Sequence, residues 1–387
     1  QAEGKQPAGL GGGGLHVGQD DAGLDLDGVV ERIDFAHPVH AGQADQNFIA
    51  RLMGRGAAHQ PGIAALGHHR RAGLVADGEH ARDLVGAGRA DDHRRVALVG
   101  AALVEQVWPA VEWAGREGGY GAATTFEVLT AMAFLHFKQI GAGLQVIEVG
   151  LGGRLDATNV VSPNVCVITP IMLDHVSVLG DTLELIAGEK AGIIKHRVPV
   201  VVAPQAREAL DVFVRVCAER EAPLIQVGKD VEWRKGHSDT TGQSFDVIGR
   251  AGTYELWTPL LGDYQQENAA TAIAAVEILM DRGVAVSSES IVRGLARVDW
   301  PGRLQVLSRQ GKQVLVDGAH NPDSIRRMVK AVRQYFEFDR VFLVFGATRG
   351  HSAEGMLAEV ADLSPVVIPV QSRHPKSGPV NAIAAAA

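Results

Sequence analysis

The chain has little cysteine, no long apolar run and no excess of basic charge. Each shortage removes a class of protein. Only Cys166 and Cys217 occur in 387 residues, so no disulfide framework holds the fold. One lies in an apolar strand and the other in a helical pattern, and two buried thiols fit a reducing compartment. No apolar run reaches bilayer-spanning length. The N-terminus lacks the basic-then-apolar order of a secretory signal, so the cytoplasm is the default location and no membrane partner is expected. The formal net charge of -8 argues against a nucleic-acid partner held by bulk electrostatics. Lysine is scarce in the first hundred residues, where Lys5 stands alone.

What is present suffices for a sizeable core: 46% of residues are hydrophobic, and the length allows two domains. Residues 101–387 alternate short β-branched runs with helical patterns, which reads as α/β, a doubly wound and mostly parallel sheet. Two of the runs, Leu144–Val149 and Val165–Ile168, read as buried strands. Glu148 ends the first, which runs into Gly150, Gly152 and Gly153, while Asp174 and His175 follow the second. Ligands in open α/β sheets sit beyond the carboxyl ends of the strands. A carboxylate and an imidazole delivered there could face one ion or one phosphate. A Glu at a strand end also serves as a helix cap, and a lone His as a turn residue. The Gly-rich turn between strand and helix favours the functional reading.

Other elements follow in order. TTFEVLTAMAFLHF (124–137) reads as a helix that Thr124 or Thr125 caps. Thr182–Lys195 has helical apolar spacing and carries Lys190. Residues 230–260 read as a small antiparallel insertion, followed by long helix Gly262–Met280 and by Ser288–Val298. Beyond 299, strands Leu304–Leu307 and Val314–Val316, helix Pro322–Tyr335, VFLVFG, helix Ala353–Leu363 and VVIPV form a second, smaller alternation. Residues 1–100 show no sustained period of 2 or 3.6, and they read as a poorly ordered segment. Their text is closer to a GC-rich gene read out of frame than to a folded unit. Gly11–Gly14 reads as a flexible tail, and His68, His69 and His93 match no usual metal-ligand spacing.

Five stretches, EVGLGGRLDATN, LDHVSVLGDTLELIAGEKAGIIK, GDYQQENAATA, PGRLQVL and VLVDGAHNPDS, occur in this order. Residues 101–387 thereby resemble folylpolyglutamate synthase / dihydrofolate synthase, a branch of the Mur ligase superfamily. The resemblance implies a central ATP- and folate-binding domain over 101–298 and a smaller Rossmann-like domain over 299–387. The family continues with another strand and helix, so the end of this chain reads as truncated. The activity implied is ATP-dependent addition of L-glutamate to a folate or dihydropteroate carboxylate, through an acyl phosphate, by a monomer.

The family's residue roles carry over position by position. Glu148 and His175 would hold Mg2+, and Lys190 would carry CO2 as a carbamate. Asn268, Arg303, Asp317 and His320 would meet ATP. Thr124, Thr125, Phe126, Glu127, Leu155, Asp156 and Ala157 would line the pterin-bearing substrate. The residues alone offer blander roles: a capped core helix at 124–127, a solvated ammonium at Lys190, helix capping at Asp317 and His320. Two departures matter. The family's phosphate loop, Gly-x-x-Gly-Lys-Ser, occurs nowhere in this chain, and Tyr264 stands where many members have His. The P-loop strand and loop therefore read as missing. Three alternatives follow: a remnant that at most binds folate or nucleotide, another Mur-type amino-acid ligase, and a composite reading frame.

Overall fold

The computed structural model describes residues 63–67, 90–119, 121–309, 312–349, 352–373 and 377–387. Gly11–Gly14, His68, His69 and the side chain of His93 lie outside the described residues.

The central sheet has five strands, all parallel: β1 (Ile63–Gly67), β2 (Gln145–Val149), β3 (Val165–Ile168), β4 (Val200–Val202) and β5 (Leu224–Gln226), in the order β2-β1-β3-β4-β5. Sequence reasoning left β1 without a place because IAALG is short and sits in text with no period. The backbone nevertheless pairs it with β2 on one side and β3 on the other. The boundary expected at residue 100 falls inside helix α1 (Ala90–Glu117).

Strands β3 and β4 are buried on both faces, as β-branched runs in parallel sheets are. Val165, Val167 and Val201 point into one core, with long helix α6 (Asp263–Asp281) and the insertion. Cys166, Ile168, Val200 and Val202 point into another, with α4 (Leu183–Ala191) and α5 (Arg207–Glu219). A third core joins α1, α2 (Thr125–Gln139) and Ile147 of β2. The expected insertion is a three-stranded antiparallel sheet of β6 (Glu232–Asp239), β7 (Gly242–Ile248) and β8 (Thr253–Thr258). Short α3 (Val176–Leu179) follows β3, and α7 (Ser288–Ala296) precedes residues 297–304, which join the two domains and are called the hinge below.

The C-terminal domain holds an antiparallel hairpin, β9 (Gln305–Arg309) with β10 (Lys312–Val316), and a parallel pair, β11 (Phe342–Phe345) with β12 (Val366–Pro369). Around them pack α8 (Pro322–Tyr335), α9 (Ala353–Val360) and α10 (Val380–Ala386). Among the described residues no helix is long and apolar enough to cross a membrane.

Candidate active site between the two domains

The order β2-β1-β3 makes the carboxyl end of β1 a point where chain connections leave in opposite directions, the place where open α/β sheets bind ligands. Glu148 pairs with Leu66, and Gly67 pairs with both Val149 and Ile168. Glu148 and His175 therefore flank β1 rather than come from neighbouring strands. Two inter-strand spacings put their strands about 10 Å apart. The residues following Gly67 read His-His-Arg-Arg.

The Gly-rich turn after β2 folds against α4. Gly152 takes φ 68, and a Cβ at Gly153 would meet the Glu189 carbonyl oxygen at 2.9 Å. The Arg154 N–H donates to that same carbonyl at 2.8 Å. The close backbone approach at Gly153 thus serves helix packing. Asp156 is likewise occupied. Its carboxylate accepts the Leu151 N–H (2.9 Å), the Thr158 N–H (2.9 Å) and the Thr158 hydroxyl (2.6 Å), and so caps a 3-10 turn. The resemblance implies a place for Asp156 beside the pterin-bearing substrate; the residue is 7% exposed. Ala157 is buried beside it and Leu155 half-buried. Sequence reasoning missed the clamp beneath: the Lys195 ammonium donates to the Asn159 carbonyl (2.8 Å) and Oδ1 (2.7 Å), and Asn159 donates to the Arg154 and Gly192 carbonyls.

At α2 the capping expectation is met. Thr124 Oγ1 accepts the Glu127 N–H, and the Glu127 carboxylate accepts the Thr124 N–H at 2.6 Å. Glu127 is buried by that role, while Thr125 and Phe126 are exposed. The Phe126 ring lies against Gly150, where a Cβ would come within 2.4 Å of Cζ. That glycine is needed for the aromatic contact at the strand's end.

Lys190 departs from the solvated ammonium of the bland reading. It is 3% exposed, and burial lowers its pKa to about 8 against the pull of Asp174 and Asp156. Thr182 caps its helix, accepting the Leu185 N–H. Asp174 is a residue to which the sequence alone assigns no role. Its Oδ1 accepts the His175 N–H at 2.8 Å and lies 3.9 Å from His175 Nε2. Its Oδ2 meets Asn321 Nδ2 at 3.4 Å and His320 Nε2 at 3.8 Å, both from the C-terminal domain. The signal available was its position just before His175.

A second group gathers at the hinge. Burial pushes the Glu148 carboxyl up, while the Arg303 guanidinium beside it pulls down. Burial also raises the Tyr264 phenol, which senses Asp317 and Arg303. Asp317 accepts the Leu304 N–H and the Ala319 N–H, both at 2.8 Å. It thus holds Leu304 at φ 43 and shapes the Asp-Gly-Ala-His turn. Helix capping, expected at Asp317 or His320, falls instead to Asn321, which accepts the Ser324 N–H. Asn268 is exposed and donates to Gln265 Oε1 at 3.0 Å, one turn back on α6. Among the described residues, no three His, Cys, Asp or Glu side chains converge as a ready-made metal cage. Mg2+ keeps several waters and needs only one or two protein ligands with phosphate oxygens. An oxygen donor such as Glu148 at a strand end fits that habit.

Beyond the carboxyl ends of β2 and β3, Glu148 lies near Arg303, and Lys190 near Asp174, which the His320–Asn321 turn of the C-terminal domain reaches. Comparison with known proteins identifies the family. A family model for the Mur ligase middle domain matches residues 98–276, and one for the Mur ligase glutamate ligase domain matches 302–387. The chain belongs to the Mur ligase family. Within it, the chain is similar to dihydrofolate synthase/folylpolyglutamate synthase of Bacillus subtilis, 37% identical over 266 residues, which are 68% of this chain and 61% of that one. A structure of Mycobacterium tuberculosis folylpolyglutamate synthase complexed with ADP and AMPPCP superposes with a TM-score of 0.75 at 27% identity, covering 89% of this chain and 82% of that one. A folylpolyglutamate synthase–AMPPCP–folate complex gives 0.69 at 27% identity, covering 89% and 90%. The chain spans about half to three fifths of the length of the curated relatives it matches.

Proposed function

We propose that the chain works as an ATP-dependent ligase that joins L-glutamate to the carboxylate of a folate or of dihydropteroate. The observation that carries this reading is the meeting, at Asp174, of the turn after β3 with the His320–Asn321 turn of the C-terminal domain. The relatives named for this activity, and the nucleotide and folate complexes among similar structures, support it.

A carboxylate is a poor electrophile at neutral pH. In this reading its oxygen attacks the γ-phosphorus of ATP, and ADP leaves. The glutamate amine then attacks the acyl carbon, and phosphate leaves. Phosphoryl transfer depends mainly on positioning and charge neutralisation. Arg303, a planar donor beside Glu148 at the hinge, suits the nucleotide phosphates. Asn268, near the start of α6, would meet the nucleotide. Asp317 acts through the hinge backbone that it holds, and His320 through the docked turn. Glu148 and His175 would hold Mg2+, which supplies charge neutralisation when bound. Lys190, with its pKa near 8, offers a fraction of neutral amine at working pH, the form that CO2 requires to make a carbamate. Phe126 and Thr125, which are exposed, and Leu155, which is half-buried, would face the pterin-bearing substrate. Closure of the C-terminal domain excludes water from the acyl phosphate. A reducing, cytoplasmic setting fits the two buried thiols.

One sequence observation favours a second reading, a remnant that binds without turnover: no Gly-x-x-Gly-Lys-Ser occurs in the chain. Losing such a cradle removes several kcal/mol of phosphate stabilisation, about 3–4 per lost donor group. The deciding experiment follows ADP release with ATP, Mg2+, L-glutamate and either dihydropteroate or a reduced folate. The ligase reading expects release that depends on both acceptor and glutamate. Saturable folate binding by calorimetry without ADP release would establish the remnant instead. Turnover only with a cell-wall precursor would point to another Mur-type ligase.

A further inference from the structure

The Asp174 carboxylate is divided between two domains. Oδ1 serves the central domain, where it accepts the His175 N–H at 2.8 Å; His175 takes φ 50, the left-handed region that a non-glycine residue occupies only when held there. Oδ2 serves the C-terminal domain, where Asn321 Nδ2 approaches to 3.4 Å and His320 Nε2 to 3.8 Å. Asp174 and Asn321 are 147 residues apart in sequence, and both are largely buried. Asn321 has a separate task, because its Oδ1 caps α8 through the Ser324 N–H at 2.9 Å. Its two polar atoms thus face two ways, the oxygen to its own helix and the nitrogen across the domain boundary. One carboxylate thereby fixes a strained turn on one side and the N-terminus of a helix on the other, with an imidazole from each domain beside it.

We propose that Asp174 is a positioning residue that sets the register of the C-terminal domain on the central domain, so that His320 is carried to the His175 turn only while the Asp174–Asn321 contact is made. The consequence for turnover rests on the ligase reading; the contact and its effect on domain position do not.

The contact has a polarity, and reversing it is the test. Asn321→Asp keeps the cap, since Asp and Asn serve equally well at that position, but replaces the donor facing Asp174 with a second carboxylate. Asp174→Asn on the same background restores a donor–acceptor pair of opposite sense and still leaves an oxygen for the His175 N–H. Nitroxide labels at Glu208→Cys on α5 and Gln334→Cys on α8, both exposed positions, report the inter-domain distance; Cys166 and Cys217 are buried. The expected result is a narrow distance distribution in the parent, a longer and broader one in Asn321→Asp, and return to the parent distribution in the double variant. Where the parent turns over, kcat should fall about tenfold or more in Asn321→Asp, the scale of a small misplacement of reacting groups, and recover in the double variant. An unchanged distribution in Asn321→Asp overturns the proposal. So does a double variant as displaced as the single one, which would assign the effect to the helix cap. A parent without turnover leaves the distance measurement decisive and bears only on the ligase reading.

Discussion

Two parallel strand pairs in this molecule have similar sequences and opposite surroundings. Val-Cys-Val-Ile of β3 and Val-Val-Val of its partner β4 are buried throughout, at 0–1% exposure, between α4 and α5 on one face and α6 on the other. Phe-Leu-Val-Phe of β11 and Val-Val-Ile-Pro of β12 are as apolar, yet Phe342, Val344, Val366 and Ile368 are 58%, 65%, 46% and 43% exposed. Their register, Phe342 to Val366 and Val344 to Ile368, puts all four on one face. The other face, with Phe345 and Val367, packs on α8 and α9. An apolar run predicts a strand. It does not predict how many faces are covered, because that depends on elements distant in the chain.

Truncation of a buried strand residue should break the comparison most severely. Ile168→Ala removes a 1%-exposed side chain from the core that α4 and α5 share with the sheet. A loss of about 2–5 kcal/mol is expected, from the transfer term plus the cavity left behind. The denaturation midpoint of the central domain measures it. A loss under about 1 kcal/mol would mean that this core is looser than the burial implies.

The next effect concerns Lys190, an ammonium buried beside that core. Lys190 has a folded pKa of about 8 against the ordinary lysine value of 10.5. Between those two values the unfolded chain binds more protons than the folded one, so stability should rise with pH across that window. Below about 8 both states are protonated, and the cost of burying the charge is fully present. Lys190→Met, of similar length and without charge, should flatten the slope and gain on the order of 2–3 kcal/mol at pH 7, an upper figure for a shift of this size. Unfolding midpoints of both proteins from pH 7 to 10.5 check the sign. Parallel pH profiles would place the cause elsewhere.

The same contrast explains which parts of the site were legible. Local chemistry could be read: Thr124 and Glu127 form the expected capping box, and Asn321–Pro322 starts α8 where the expected helix begins. Lys190 was located on its helix, but its burial was not, since helical spacing gives a face and not what covers that face. β1 went unseen because five residues without a period carry no local signal; only pairing with β2 and β3 defines them. The resemblance puts Asp156 beside the substrate, and no local signal reveals that its carboxylate is engaged within its own turn or that Gly153 packs on α4. Asp174 acquires its role from residues 147 positions away, a distance over which no sequence period extends.

The smallest effect sharpens the comparison from the exposed side. Val344 and Ile368 face each other in register, and neither belongs to the core that holds the C-terminal domain together. Phe342 is a poorer target, since the Arg340 guanidinium lies 5.1 Å from its ring centroid and its removal would cost a cation–π contact as well. Replacing both Val344 and Ile368 by Thr keeps the β-branch that suits a strand while adding a hydroxyl that water can satisfy. Stability should then change by no more than about 0.5 kcal/mol, as for other surface positions. Self-association at high concentration should fall, because a contiguous apolar patch is interrupted. Light scattering and the unfolding midpoint of the double variant measure the two quantities separately. A stability loss above about 1 kcal/mol would show that this face is covered in solution as β3 is covered in the core, and the two strand pairs would then differ in what covers them rather than in whether they are covered.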